Sequence, residues 1–271
     1  MAKPVVLAAH GITGNGVSWN IVRDQLGADV RLLTPDLRGR GASAGWGPPY
    51  GMAQHAADLV ELLDREGVTE PITVAGHSMG GFVAVVLAHL HPERVQSLVL
   101  VDGGLPLTPR APDPGTIDID QLLTAVIGPA IARLSMTFES RDAYRDFWRA
   151  HPSFAGDQWS DYVEQYIDYD LVGTAPELRS GVSADAVKGD ATDLFTTSTL
   201  YDAIAALDRP AVLLRAERGM MNEETPLVGD AVVQQYPQVK DLGFVAGTNH
   251  YTILLSDRGA KAVADTIRQV T

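Results

Sequence analysis

The sequence predicts an α/β protein in which a mainly parallel central sheet is flanked by helices and interrupted by one mostly helical insertion. Three observations carry this. Short apolar runs alternate with helical patterns through residues 1–104. The same alternation resumes over 207–271. Between them, 105–206 breaks the rhythm, opening with Pro106, Pro109, Pro112 and Pro114. Strands that alternate with helices imply right-handed crossovers and a parallel sheet covered on both faces.

Each element has a local reason. Residues 5–9 form a compact apolar run of buried-strand type, and 30–34 form a second, closed by Pro35. Residues 52–66 place Ala56, Leu59, Val60 and Leu63 at helical spacing. Strands are predicted at 72–75 and 97–101, with a helix over 82–90 that stops before Pro92. In the insertion, helices are predicted over 119–127 and 141–149. The aromatics Trp148, Phe154, Trp159, Tyr162, Tyr166 and Tyr169 are read chiefly as the core of this small unit. The last third reads as a strand at 211–214, a helix at 227–236 and a strand at 239–245. A closing helix at 258–270 puts Ala260, Val263, Ala264 and Ile267 on one face.

Composition narrows the function classes. The chain has 271 residues, 45% hydrophobic and 20% charged, enough for a sizeable core and too apolar for wholesale disorder. The net charge of −13 argues against nucleic-acid binding, which needs clustered cations, and against docking on anionic membranes. No cysteine is present, so disulfides, thiolate nucleophiles and cysteine-held metals are excluded. No signal peptide or spanning segment is read, and a cytoplasmic location is the expectation. The insertion holds seven basic against 16 acidic residues, net −9, most of the excess charge.

The strongest chemical signal is Gly76-His77-Ser78-Met79-Gly80, between an apolar strand and a helical pattern. That is the strand–turn–helix context of a nucleophile elbow. A sharp turn strains the serine backbone and exposes its Oγ, and small residues two before and two after let strand and helix approach. His10-Gly11-Ile12-Thr13-Gly14 follows the first strand. The N–H groups of Ile12 and Met79 can there form an oxyanion hole. His10 itself is read as scaffolding. Of seven histidines, His250 is the expected general base, since it stands after the final strand at the sheet edge where Ser78 also lies.

These residues resemble the α/β-hydrolase superfamily over about 4–104 and 207–271, with 105–206 in the position of that family's cap, inserted after its sixth strand. Asp36-Leu37-Arg38-Gly39-Arg40-Gly41-Ala42-Ser43 is similar to the family's D-x-R-G-x-G-x-S loop. The resemblance implies a catalytic triad, an eight-stranded sheet and no cofactor. The chain enters at the family's third strand, so the N-terminal hairpin is expected to be missing and the sheet shortened.

The acid departs from the family pattern. The loop after 211–215 reads Arg215-Ala216-Glu217-Arg218-Gly219, with no Asp at the usual place. Asp102, at the end of a strand where some relatives keep their acid, is the preferred substitute, with Glu217 the alternative. The expected activity is cleavage of a small to medium carboxylic ester or lactone through an acyl-enzyme on Ser78. Other activities of the fold (thioesterase, C–C hydrolase, perhydrolase or lyase) and a non-catalytic binding role stand as alternatives.

Overall fold

The computed structural model describes residues 3–107 and 130–271, and Asp118, Gln121 and Gly128 between them. The sheet has the order β2-β1-β3-β4-β7-β8, and every pair in it is parallel. Its strands are β1 (Val5–Ala9), β2 (Arg31–Leu33), β3 (Ile72–His77), β4 (Val95–Val101), β7 (Ala211–Arg218) and β8 (Lys240–Asn249). Six strands among the described residues is a shortened sheet relative to the eight that the family resemblance implies. A separate antiparallel pair, β5 (Leu171–Val172) with β6 (Arg179–Ser180), lies in the insertion.

Alternation along the central strands divides the core. Val6 and Ala8 of β1 face one hydrophobic cluster, while Leu7 and Ala9 face the other. Both faces of a parallel sheet must be covered, and helices cover both here. On one side α1 (Asn20–Leu26) packs on the C-terminal helix α10 (Asp257–Val270). The predicted stripe Ala260, Val263, Ala264 and Ile267 is fully buried there. On the other side lie α2 (Met52–Arg65) and α3 (Met79–Leu90), joined by α7 (Thr199–Ala205).

The insertion contributes α4 (Arg141–Arg149), α5 (Asp161–Asp170) and α6 (Ala184–Thr196). Each begins on a serine, Ser140, Ser160 and Ser183, whose side chain accepts a backbone N–H of the first turn. Trp148 and Phe154 are buried as core, as read from the sequence, whereas Tyr169 is exposed. The predicted helix at 119–127 lies outside the described residues except for Gln121. The predicted helix at 227–236 shrinks to α8 (Asp230–Val233), because Gly229 delays its start and Pro237 follows its end. The final helix is preceded by a short turn of helix, α9 (Thr252–Leu255). No helix among the described residues is long and apolar enough to cross a membrane.

Strand order reverses between β1 and β3, which are neighbours although the chain visits β2 in between. Such a switch point opens a crevice at the carboxyl ends of the strands. The four segments of chemical interest all emerge there: residues 10–14 after β1, Ser78 after β3, Asp102 after β4 and His250 after β8.

Candidate active site

Ser78 sits at φ 54° and ψ −124°, between the last residue of β3 and the first of α3. A non-glycine residue avoids this region, so the surroundings must hold it there. Its N–H donates to Val101 O at 3.0 Å and its carbonyl accepts from Gly81 N at 3.0 Å. The flanking glycines are sterically required. A Cβ on Gly76 would lie 2.1 Å from Gly80 O, and one on Gly80 would lie 2.2 Å from Ala9 O. Ser78 is half-buried and lines one cavity together with His250.

His250 is buried in the turn after β8. The preceding Asn249 builds that turn. Its Oδ1 accepts from the N–H groups of Tyr251 and Thr252, both at 3.0 Å, and its Nδ2 donates to Ser153 O at 2.9 Å. The imidazole Nδ1 lies 2.6 Å from Asp102 Oδ2. Asp102 is fully buried, at φ 46°, a left-handed conformation that a short polar side chain tolerates. Its backbone N–H donates to Leu214 O at 2.8 Å, and its Oδ1 accepts from Ala216 N at 3.1 Å. With one oxygen committed to the backbone and the other to the ring, the carboxylate favours the proton on Nδ1, leaving Nε2 as the basic nitrogen.

Glu217, the other candidate acid, is exposed and accepts from Gly247 N at 2.8 Å instead. The arginine at 215 turns to Asp230 and Asp241 at 2.8 and 2.7 Å.

His10 takes a scaffolding position. Its Nε2 accepts from Leu37 N at 2.9 Å, which leaves the ring proton on Nδ1 to be donated to Gly11 O at 2.8 Å. Gly11 O also accepts from Gly14 N at 3.0 Å. In a trans peptide the N–H points opposite to the C=O, so these two bonds aim the Ile12 N–H the other way. Ile12 lines the same cavity as Ser78. Met79 N–H, at the first residue of α3, has no intrahelical acceptor to claim it.

A third imidazole, His77, was seen in the sequence only as part of the elbow. Its Nε2 donates to His250 O at 2.8 Å, and the two rings lie 4.7 Å apart. Burial pushes its pKa well below the ordinary value, so it stays neutral and fixes the backbone of the residue beside it. Gly11, Thr13, Gly14, Ser18, Tyr166, Met220, Tyr251, Leu254 and Leu255 also line the cavity. None of these is an acid, a lysine or an arginine. Among the described residues Tyr166 is the insertion's contribution. Sequence reasoning missed Tyr251 and Leu254, although both follow His250 within four residues. Among the described residues no cluster of three or more His, Asp or Glu is disposed to hold a metal ion.

Burial depresses His10 and His151 to about 4 from an ordinary 6.5. Between those values the unfolded chain takes up protons that the folded one refuses. Their contribution to stability is therefore present above pH 6.5 and lost as pH falls toward 4. Urea unfolding is expected to show stability falling by about 2 kcal/mol per pH unit near pH 5, with His77 adding in the same direction. A flat profile from pH 7 to 5 would contradict it.

A family model described as the alpha/beta hydrolase fold matches residues 4–126. The chain has the α/β-hydrolase fold. Over 102 residues it is 38% identical to a protein of Mycobacterium tuberculosis named lipase LipV, covering 38% of each chain. Over 108 residues it is 38% identical to a putative carbamate hydrolase RutD of Klebsiella pneumoniae, covering 40% of each. The matched stretch thus spans well under half the length of these relatives. Among solved structures, E-2-(acetamidomethylene)succinate hydrolase superposes with a TM-score of 0.77 at 22% identity, over 98% of this chain and 92% of that one. A thioesterase domain from the curacin biosynthetic pathway superposes with a TM-score of 0.73 at 21% identity, over 98% and 91%. At such identities the superpositions speak for the fold.

Proposed function

We propose that the chain is a serine hydrolase that cleaves an uncharged, small to medium carboxylic ester or lactone. The observation that carries this reading is the buried 2.6 Å contact of His250 with Asp102, in a cavity that His250 shares with the strained Ser78. Ser78 Oγ attacks the acyl carbon while His250 Nε2 takes its proton. The oxygen of the tetrahedral intermediate is held by the Ile12 and Met79 N–H groups, each donor worth on the order of 3 kcal/mol in the transition state. Collapse breaks the acyl–oxygen bond, and His250 returns its proton to the leaving alkoxide. Water, deprotonated by the same ring, then attacks the acyl-enzyme and releases the acid and Ser78. Asp102 keeps the ring in the required tautomer and stabilises the imidazolium.

The neutral lining supports an uncharged acyl group, since a carboxylate in this cavity would find no cationic partner among the described lining residues. Tyr166, brought from the insertion, supports a lid role for that segment. The test is labelling by a serine-directed fluorophosphonate, followed by turnover of p-nitrophenyl esters and lactones of graded length. Labelling of wild type and none of Ser78→Ala is expected, with neutral esters turned over faster than acyl groups bearing a carboxylate. A folded wild-type protein that takes no label would overturn the proposal.

A further inference from the structure

The N–H proposed to meet the oxyanion belongs to Ile12, and the carbonyl of that residue is gripped by a buried cation. Arg40 is fully buried. Its Nε and Nη2 converge on Ile12 O at 3.0 and 2.7 Å. Its Nη1 donates to Arg38 O at 2.7 Å and lies 2.5 Å from Asp190 Oδ2. Asp190, on α6 of the insertion, is itself fully buried. Its other oxygen accepts from Gly51 N at 2.8 Å and from His55 Nε2 at 2.9 Å.

The geometry has a definite effect on residue 12. The Gly11–Ile12 peptide plane is fixed by the two donors on Gly11 O, and the Ile12–Thr13 plane by the fork of Arg40. With both flanking planes held, the direction of the Ile12 N–H is set before any substrate arrives. Preorganised donors of this kind stabilise developing charge without reorganising during the reaction. A second buried guanidinium repeats the arrangement one residue on. Arg133 Nη2 lies 3.4 Å from Thr13 O, and its Nη1 pairs with Asp170 at the end of α5. Two carboxylates of the insertion thus reach the loop through two arginines.

We propose that Arg40 is a positioning residue for the oxyanion loop and that Asp190 anchors it, so that the loop is set only when α6 of the insertion is docked. The insertion then helps to build the reaction centre as well as roofing it. This rests on the acyl-transfer reading of the site.

The test compares wild type with Arg40→Lys and Asp190→Asn on p-nitrophenyl butyrate. Lysine keeps the buried charge but cannot supply two converging, coplanar N–H donors. Arg40→Lys is expected to lower kcat by about 30-fold with KM changed by less than about twofold, and Asp190→Asn to act the same way by about tenfold. Two inhibitors supply a readout that a merely structural role would not move. A trifluoromethyl butyl ketone forms an anionic serine adduct, and the plain methyl butyl ketone does not. The first should lose affinity by the same factor as kcat, and the second should keep it. Unchanged kcat in both folded variants, or equal losses for both ketones, would overturn the inference while leaving the proposed function standing. So would failure of both variants to fold at 15 °C, which would make the pair a support of the fold alone. A wild type that neither turns over ester nor binds the trifluoro ketone would overturn the proposed function, and the inference with it.

Discussion

Replacing Asp102 by Asn is expected to lower kcat for p-nitrophenyl butyrate by on the order of 10⁴-fold, most of the way to the loss from Ser78→Ala. The reason lies in the second oxygen. Asp102 Oδ1 accepts from Ala216 N–H. An amide at this position must keep its carbonyl oxygen there, because its NH2 cannot accept. The NH2 then faces His250 Nδ1 and donates to it. That forces the ring proton onto Nε2, the atom that must accept from Ser78. The chemistry is blocked while the shape is kept, so the melting temperature and fluorophosphonate binding pocket should change little. Glu217→Gln, which alters a carboxylate bonded to Gly247 N, should leave kcat within about twofold. The reverse order in steady-state kinetics would give the acid role to Glu217.

Gly80→Ala is expected to yield no stably folded protein, or one whose melting temperature falls by more than about 10 °C. The added Cβ would stand 2.2 Å from Ala9 O and 2.8 Å from His10 O. Both atoms are backbone, one in the interior strand β1 and one at the start of the loop proposed to hold the oxyanion, so no rotamer change relieves the clash. Gly45→Ala, with nothing within 4 Å of the new Cβ, is the control and should shift stability by less than about 0.5 kcal/mol. Thermal melts by circular dichroism separate the two. A Gly80→Ala protein that melts like wild type would mean that the contact between β1 and α3 is looser than its geometry.

Much of the site was legible because its chemistry has short-range signatures. The elbow needs glycine at two fixed offsets from Ser78, and the close approaches of Gly76 and Gly80 are the physical content of that spacing. His250 was legible from its place after the last strand, and Asp102 from its strand end once the usual position proved empty. Element boundaries were less so. The apolar positions 227, 228, 232, 233 and 236 read as a helix, yet they belong to turns and a short helix that pack the same side chains on the core, Val228 and Tyr236 buried and the other three half-buried. Least legible were Arg40–Asp190 and Arg133–Asp170. Each joins residues distant in the chain, and a buried arginine looks in sequence like any surface one. The net −9 of the insertion likewise does not tell which of its carboxylates are paired. Among the described residues no acid lines the cavity, and carboxylates such as Asp168, Asp170 and Asp190 are engaged by arginines.

The acid role proposed for Asp102, which stands before the insertion rather than in the loop after β7, divides the proposed machinery unevenly along the chain. The oxyanion loop, Ser78 and Asp102 all fall between residues 10 and 102, inside the stretch matched by the family model, and His250 alone must come from beyond it. Such a chain lends itself to exchange of parts. Under the proposed roles the segment 105–206 carries neither nucleophile nor acid, so another segment could replace it without moving either. The positioning role proposed for Arg40 sets the condition for such a replacement: the incoming segment must carry an anion to the place that Asp190 now fills.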